Sequence, residues 1–402
     1  MCDIFKHELF QLQYLIAYDN PISDIELLIK NARIVNPWGT SFGDVLIDHG
    51  IITEIGEPKI GSTSCNVIDA EGDILLPGFI DVHIQGAGGA DILDGEDAVE
   101  TISESCIKHG VTGFLATTVY KPRQDNKHIE DALRRSSEGL SGAKMLGIHL
   151  EGPFISEKRK GMIQSSSICE PSEKVLSDIM HKCKGQLKMM TLAPEIEGIQ
   201  NTIRLLIESN VVVSFGHSSA SYEQTLNAIR AGVKHVTHIF NAMPPIHHRD
   251  PGPLLAIFES AEVTAQLISD GVHIHPSVVR FAYRVLGDDR IVLITDGVRS
   301  TGLPDGRYTY DCMEFISVGG TAKYVDGTLI GTSAGMNELA RRYIDFTGLP
   351  LSSVAKVASY NPAKLLGLVD KKGSVEVGKD ADLILIGEDF KVRMTFVKGR
   401  PV

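Results

Sequence analysis

Short apolar runs alternate with stretches of helical length through the central part of the chain. Eight runs can be counted between residues 78 and 296, and amphipathic segments such as 97–109, 126–140 and 276–286 fill gaps between them. A continuous apolar run is what a parallel strand requires when helices cover both faces of its sheet. The pattern therefore predicts an α/β fold with eight βα units closed into a (β/α)8 barrel, although an open, doubly wound sheet has the same rhythm. The predicted strands are 78–83, 113–118, 145–151, 188–193, 211–217, 235–238, 264–269 and 291–296.

Both ends of the chain show short alternating or β-branched segments separated by turn residues such as Gly43, Gly50 and Gly56. This pattern is typical of half-buried strands. Because chain termini often lie close together, the two ends can complete one small β-sandwich domain beside the barrel. The predicted end strands are 25–35, 44–47, 51–55, 66–69, 381–386 and 393–397. The predicted organisation is an N-terminal extension over 1–24, sandwich segments over 25–75 and 366–402, and a barrel over 76–365.

Composition narrows the class of protein and the kinds of partner. The chain has 402 residues and a formal net charge of −12, so a broad surface for nucleic-acid phosphates is not expected. Its six cysteines are scattered, with no Cys-x-x-Cys pair, and are predicted to be free thiols of a reducing compartment. No uninterrupted apolar stretch approaches membrane-spanning length. The expected location is the cytoplasm, with neither nucleic acid nor membrane as a partner.

Residues that can bind metal or move protons end six of the eight predicted barrel strands. In a (β/α)8 barrel the carboxyl ends of the strands face one common site. A single histidine after a strand is more often a hydrogen-bonded structural residue, but six coincidences at the same end of one barrel favour a functional centre. These residues are His83, Glu151, His217, His238, Asp296 and the pair Asp270 and His273.

Glu151, His217 and His238 form the most informative subset. A carboxylate that directly follows an apolar strand and precedes Gly152 and Pro153 is costly to bury unless a cation faces it. One carboxylate and two neutral imidazoles, with a fourth position left to water, is the ligand pattern of a catalytic zinc-type site rather than of a closed structural one. These three residues are therefore predicted to bind one divalent metal ion.

Asp296 ends the last apolar run and is followed by Gly297. Beside a metal, a carboxylate at this position would act as general base toward water and then as general acid toward a leaving amine. The alternative is a turn or helix-capping aspartate, which the following glycine also fits.

Several segments are similar to those of a known family. LLPGFIDVH at 75–83 resembles the first barrel strand of the amidohydrolase superfamily. More specific segments, which occur in family order along nearly the whole chain, resemble the N-acetylglucosamine-6-phosphate deacetylase family of that superfamily. They are HLEGPF at 149–154, GHS at 216–218, HIFNAMP at 238–244, SDGVH at 269–273, TDG at 295–297 and GTLIG at 327–331.

The resemblance implies a reaction and roles for individual residues. Glu151, His217 and His238 match the family's metal ligands, Asp296 matches its acid/base residue, and His273 matches a residue that contacts the sugar. The implied reaction is hydrolysis of N-acetylglucosamine 6-phosphate to glucosamine 6-phosphate and acetate. The implied cofactor is one divalent ion, which would be zinc, iron, cobalt, manganese or nickel.

The resemblance also implies a phosphate-binding segment. Asn241, Ala242 and Arg249 match it, and a planar guanidinium grips phosphate through two hydrogen bonds. In the family this arginine comes from the neighbouring subunit, so a homodimer is implied. Without the motif, Arg249 would be interpreted as a solvated loop cation.

The chain departs from the family pattern at two positions. The first barrel strand of the superfamily often ends His-x-His, whereas this chain has His83 and Gln85; both are expected at the substrate side of the site, and a second metal ion stays open. After the Glu-Gly-Pro segment the family normally has Lys-Gly-x-His, with a histidine that polarises the acetyl carbonyl. Ile163 takes that place here, and loss of such a donor could lower the rate by ~10²–10³.

Two other hypotheses follow. One is a different amidohydrolase, such as a dihydroorotase or an N-acyl-amino-acid deacylase; those usually carry a complete His-x-His and often a lysine at the tip of strand four, where this chain has Ala193, Pro194 and Glu195. The other is a weakly active or non-catalytic relative. Only Ile163 favours it.

Overall fold

The computed structural model describes residues 26–58 and 65–402, so the predicted extension over 1–24 lies outside the described part. The first five strands are β1 (Leu27–Asn36), β2 (Gly39–Asp48), β3 (Ile51–Gly56), β4 (Asn66–Asp69) and β5 (Ile74–Pro77). β1 pairs antiparallel with β2 and parallel with β4 and β5. Every residue of β5 is buried, because this strand leads directly from the sheet into the central domain.

The next ten strands are β6 (Phe79–Ile84), β7 (Gly86–Ala87), β8 (Ala90–Asp91), β9 (Val111–Thr118), β10 (Lys144–Glu151), β11 (Leu187–Leu192), β12 (Val212–Phe215), β13 (His235–Val236), β14 (Thr264–Leu267) and β15 (Ile291–Leu293). β7 and β8 form a separate small hairpin, and the other eight lie in one sheet in chain order. The sheet curls until its ends meet: the Asp296 amide donates to the His83 carbonyl at 2.9 Å, and the Gln85 amide to Gly297 at 2.8 Å. The predicted eight-stranded barrel is confirmed.

Helices connect successive barrel strands and cover the outside of the barrel. They are α1 (Ala98–Lys108), α2 (Lys127–Ser137), α3 (Glu173–Cys183), α4 (Ile199–Glu208), α5 (Tyr222–Arg230), α6 (Gly252–Glu259) and α7 (Pro276–Leu286). α5 begins with a capping box between Ser221 and Gln224, and α7 begins with Pro276, which lacks the amide hydrogen that would have no helical partner there. The buried helix faces and the strands share one large apolar core.

A four-stranded antiparallel sheet, which the apolar pattern did not predict, follows the barrel strands. It consists of β16 (Gly306–Tyr310), β17 (Met313–Val318), β18 (Thr321–Tyr324) and β19 (Leu329–Thr332). Its buried side, including Tyr310, Phe315 and Ile330, packs on Ile155 and Ile163 from the loop that follows β10. This sheet therefore lies beside the carboxyl end of the barrel.

The chain closes with α8 (Met336–Thr347), α9 (Leu351–Ala355), one π-helical turn (Lys356–Tyr360), α10 (Asn361–Leu365), β20 (Leu383–Ile386), β21 (Val392–Val397) and β22 (Arg400–Pro401). β20 pairs with β5, so strands from both chain ends form one eight-stranded sheet, as predicted. A second apolar core joins Ile29 and Ile47 to Leu383 and Phe396. Because the two cores are separate, we propose domain boundaries at 25–75 with 366–402, and at 76–365.

Two predictions from composition can be compared with the described residues. The five cysteines among them are free. Across residues 26–58 and 65–402, no helix combines the length and apolarity that crossing a bilayer takes.

Candidate functional site

Four of the predicted site residues lie at or just beyond the carboxyl ends of barrel strands. Glu151 is the last residue of β10, while His217, His238 and Asp296 follow β12, β13 and β15. The backbones of the latter three have φ values of 48°, 28° and 51°. Residues other than glycine rarely adopt this left-handed backbone conformation, and those that do are concentrated at active sites. The backbone is therefore locally strained at these three residues, and this conformation directs each polar side chain toward the mouth of the barrel.

The Glu151 carboxylate is the centre of this group. Its Oε1 atom lies 2.9 Å from Nε2 of His217 and 3.1 Å from Nε2 of His238, and these two nitrogens are 3.0 Å apart. All three side chains are buried. One ligand atom from each residue can be chosen so that all lie within 4.8 Å of one another.

The hydrogen bonds around His217 indicate what this group binds. Its Nδ1 atom lies 2.7 Å from the carbonyl oxygen of Arg159, so this nitrogen must carry a proton and donate it. In the neutral ring, Nε2 then presents a lone pair to the Glu151 carboxylate. Burial lowers the pKa of His238, which favours the neutral form of that ring. Lone pairs converging on a buried carboxylate fit a divalent cation between them.

Two further side chains contact Glu151: Gln85 donates from Nε2 to its Oε2 at 3.2 Å, and His83 lies opposite its Oε1. His83 Nε2 lies 3.5 Å from Glu151 Oε1 and 3.2 Å from Asp296 Oδ1, yet within the described chain neither His83 Nε2 nor Asp296 Oδ1 makes a well-aligned hydrogen bond. Burial disfavours charge on His83, but the two carboxylates outweigh it and raise its pKa to about 10. Burial alone would raise the pKa of Glu151. The facing histidines, with His83 making the largest contribution among them, outweigh burial and bring this pKa well below its usual range. Glu151 is therefore ionised, in keeping with a metal ligand.

Asp296 is held in place through its backbone. Its amide donates to His83, and its carbonyl accepts a hydrogen bond of 2.9 Å from the amide of Thr332 at the end of β19. A Cβ atom on Gly331 would lie 2.3 Å from the same carbonyl oxygen, so only glycine permits this approach. The four-stranded sheet thus helps to fix the position of Asp296.

A cavity of about 330 Å³ opens above these residues. Its volume is at the lower end of the range for small-molecule sites. Of the residues predicted from the sequence, Gln85, Glu151, His217, His238, Asn241, Ala242, His273 and Asp296 line it. The structure therefore brings together residues that are up to 211 positions apart, from Gln85 to Asp296.

His273 is oriented by Asp270, the other half of the predicted strand-seven pair. The Asp270 carboxylate accepts hydrogen bonds from His273 Nδ1 at 2.7 Å and from the His273 amide at 2.8 Å. Burial raises the pKa of Asp270, but these hydrogen bonds outweigh it and leave the pKa below its usual value. With Nδ1 occupied, Nε2 is the nitrogen of His273 that remains for a ligand.

Three other predicted residues lie outside the cavity lining. His83 is fully buried behind Glu151. Arg249 is exposed on the loop before α6, where its guanidinium contacts His248 at 2.8 Å. Ile163 is 1% exposed and packs against Ile155 and the four-stranded sheet. At the position where the family resemblance implies a histidine, the chain thus has a core residue that packs among apolar side chains.

Sequence reasoning missed several residues that line the cavity. Lys158, Arg159 and Met162 belong to the loop after β10, and Leu329 and Ile330 belong to β19. The last two lie in the GTLIG segment that carries part of the family resemblance. For Lys158 and Arg159 the only signal was a short charged run, which is more often a solvated loop.

Known proteins agree with this geometry. The Amidohydrolase family model matches residues 74–402. The N-acetylglucosamine-6-phosphate deacetylase of Bacillus subtilis (strain 168) is 37% identical over 387 residues, which cover 94% of this chain and 96% of that protein. The chain belongs to the N-acetylglucosamine-6-phosphate deacetylase family. The relative from Danio rerio, also 37% identical, covers 94% of this chain and 92% of its own length.

Solved structures from the same family share the whole fold. The N-acetylglucosamine-6-phosphate deacetylase of Thermotoga maritima is 35% identical, with a TM-score of 0.82 over 93% of this chain and 99% of that one. The Mycobacterium smegmatis deacetylase, solved as a mutant in complex with N-acetyl-D-glucosamine-6-phosphate, is 30% identical, with a TM-score of 0.86 over 94% and 99%. Membership of the family therefore rests on sequence and fold together.

If Glu151, His217 and His238 bind a metal, removing one imidazole should empty the site. His217→Ala and His238→Ala are expected to lose most bound divalent ion, because two remaining protein ligands hold it poorly. Elemental analysis after dialysis measures this. His149→Ala is the matched control, since His149 is buried nearby and packs on His83, but its ring nitrogens contact Thr117 and Thr191 rather than Glu151. Unchanged metal content in both ligand variants would contradict the assignment.

Proposed function

We propose that this chain hydrolyses the acetamide of N-acetylglucosamine 6-phosphate, giving glucosamine 6-phosphate and acetate. The observation that carries the proposal is the buried Glu151, His217 and His238 group, with Asp296 beside it at the mouth of a sugar-sized cavity. Membership of the deacetylase family supports the substrate. The ligands suit one divalent ion, of zinc, iron, cobalt, manganese or nickel, and His83 with Gln85 in place of His-x-His favours one ion over two.

When bound, the ion supplies a Lewis acid that polarises the acetyl carbonyl and lowers the pKa of water. Asp296 then has two tasks. Its carboxylate accepts a proton from the water whose oxygen attacks the acetyl carbon, and it returns a proton to the nitrogen as the C–N bond breaks. His83, 3.2 Å from Asp296 Oδ1, faces the same carboxylate and stabilises its negative charge.

The remaining cavity residues bind the substrate in this proposal. His273 Nε2, held toward the ligand by Asp270, accepts a hydrogen bond from a sugar hydroxyl. Asn241 and Ala242 contact the phosphate, joined by Arg249 from the neighbouring subunit of a homodimer. The exposure of Arg249 outside its own chain's cavity supports donation to a partner. The acidic charge and free cysteines support a cytoplasmic location.

The proton-transfer role of Asp296 can be separated from metal binding. Asp296→Asn keeps the side-chain volume but cannot accept a proton, so kcat for acetate release should fall by about 10²-fold or more. Metal content, measured on the same sample, should stay near that of the unmodified chain. Full turnover by the variant would show that Asp296 is only a turn residue.

The phosphate role of Arg249 predicts a difference between two substrates. Arg249→Ala should raise KM for N-acetylglucosamine 6-phosphate by about 10-fold or more and leave turnover of N-acetylglucosamine nearly unchanged. Arg204→Ala is the control, because Arg204 is an exposed arginine that already pairs with Glu208.

Subunit exchange tests whether Arg249 acts across a dimer. Mixing Arg249→Ala with Asp296→Asn subunits should create some sites with both residues intact, so activity should partly recover. An equal loss on both substrates, without recovery, would give Arg249 a structural role instead.

A further inference from the structure

Two basic residues line the cavity in addition to the histidines. Lys158 and Arg159 both lie in the short 3-10 turn Glu157–Arg159 after β10. Arg159 is half-buried and Lys158 is exposed. Within the described part of the chain, neither forms an ion pair with a carboxylate, although the whole chain carries a net charge of −12. Two basic residues that line a cavity of an acidic protein without an ion-pair partner of their own point to an anionic ligand.

The next residue shows that this is not a general property of the loop. The ammonium group of Lys160 lies 3.2 Å from the Glu157 carboxylate and 2.5 Å from the Ser165 hydroxyl. Lys160 is absent from the cavity lining. One basic residue of the run is therefore paired within the loop, while the two before it are left to the cavity.

The turn lies at the same corner of the cavity as the segment proposed to bind phosphate. The Arg159 carbonyl accepts the 2.7 Å hydrogen bond from His217 Nδ1, and the Ser156 amide donates to the His217 carbonyl at 2.9 Å. The following residue, Ser218, donates its amide to the Ala242 carbonyl at 3.1 Å. Consecutive residues thus anchor the basic turn and the segment that contains Ala242.

We propose that Arg159, assisted by Lys158, binds the phosphate of the substrate from within the same subunit. This inference rests on the proposed function and extends it. The half-buried guanidinium offers paired donors to phosphate oxygens in a partly desolvated position, where charge-assisted hydrogen bonds are strong. Lys158 is exposed, so salt screens its ammonium group. Lys158 therefore speeds association of the anion more than it strengthens the bound state.

A consequence is that one subunit already recognises the phosphate, and Arg249 of a partner completes the recognition. The rival role for Arg159 is polarisation of the acetyl carbonyl, which Ile163 cannot perform. The two roles differ in a measurable way. A phosphate ligand affects only phosphorylated sugars, whereas a carbonyl ligand affects every N-acetyl substrate.

The test uses binding of glucosamine 6-phosphate and glucosamine to the metal-loaded full-length protein, measured by calorimetry. Arg159→Met keeps the backbone carbonyl that holds His217, and elemental analysis checks that the metal remains. We expect this variant to bind glucosamine 6-phosphate about 10-fold more weakly or worse, with glucosamine binding unchanged. Lys160→Met is the matched control and should stay within about twofold of the unmodified protein.

Kinetics on N-acetylglucosamine 6-phosphate provide the second measurement. Arg159→Met should raise KM in parallel with the loss of binding and change kcat little. Lys158→Met should lower kcat/KM by about two- to threefold at low salt, and the difference should vanish at high ionic strength.

Two outcomes overturn the inference: unchanged binding of glucosamine 6-phosphate by Arg159→Met, or an equal fall of kcat on the phosphorylated and unphosphorylated substrates. Failure of the proposed function is distinguishable. If the unmodified chain binds the sugar phosphate through Arg159 but releases no acetate, the deacetylase proposal fails alone. If it releases acetate with a KM that does not depend on Arg159, only this inference fails.

Discussion

The site depends on the contact between the buried Glu151 carboxylate and the ring nitrogens of His217 and His238. A buried carboxylate is costly unless positive charge faces it, and the charged His83 ring that faces Glu151 is shared with the Asp296 carboxylate. A divalent cation held by Glu151, His217 and His238 would supply the further positive charge that two buried carboxylates require. The barrel makes the arrangement possible, because its closure brings the ends of β10, β12 and β13 to one point, and left-handed turns at His217 and His238 direct the rings inward.

The four-stranded sheet and the loop after β10, which lie outside the barrel, hold residues of the site in position. β19 fixes the Asp296 backbone through Thr332, and Gly331 permits the close approach. The loop after β10 lies between this sheet and His217, with Ile163 buried on one side and the Arg159 carbonyl bonded to the histidine on the other. Ile163 thus packs against the added sheet at the position where the family resemblance implies a histidine.

The barrel and the metal ligands could be predicted from the sequence because both depend on local pattern. Fully buried parallel strands require continuous apolar runs, and polar residues at their ends were visible as exceptions. The four-stranded sheet could not be predicted in this way. Its strands are short and partly exposed, so β17, for example, alternates buried Phe315 with exposed Glu314 and Ile316 and gives only a weak signal.

Charged loops are the other limit of sequence-based prediction. Lys158, Arg159 and Lys160 are consecutive basic residues with nothing in the sequence to separate them. Only the folded loop shows that Lys160 pairs with Glu157, while the other two residues line the cavity and have no ion pair within the described chain. Arg249 illustrates the reverse case: the family motif predicted a role that one isolated chain does not display, since its side chain lies on the surface.

Metal dependence is tested by acetate release from N-acetylglucosamine 6-phosphate by chelator-treated protein during titration with a divalent metal. We expect no acetate release from the stripped protein and recovery of release as metal fills the Glu151 site, with the phosphorylated sugar strongly preferred over N-acetylglucosamine. Undiminished acetate release by protein shown to be free of metal would contradict it.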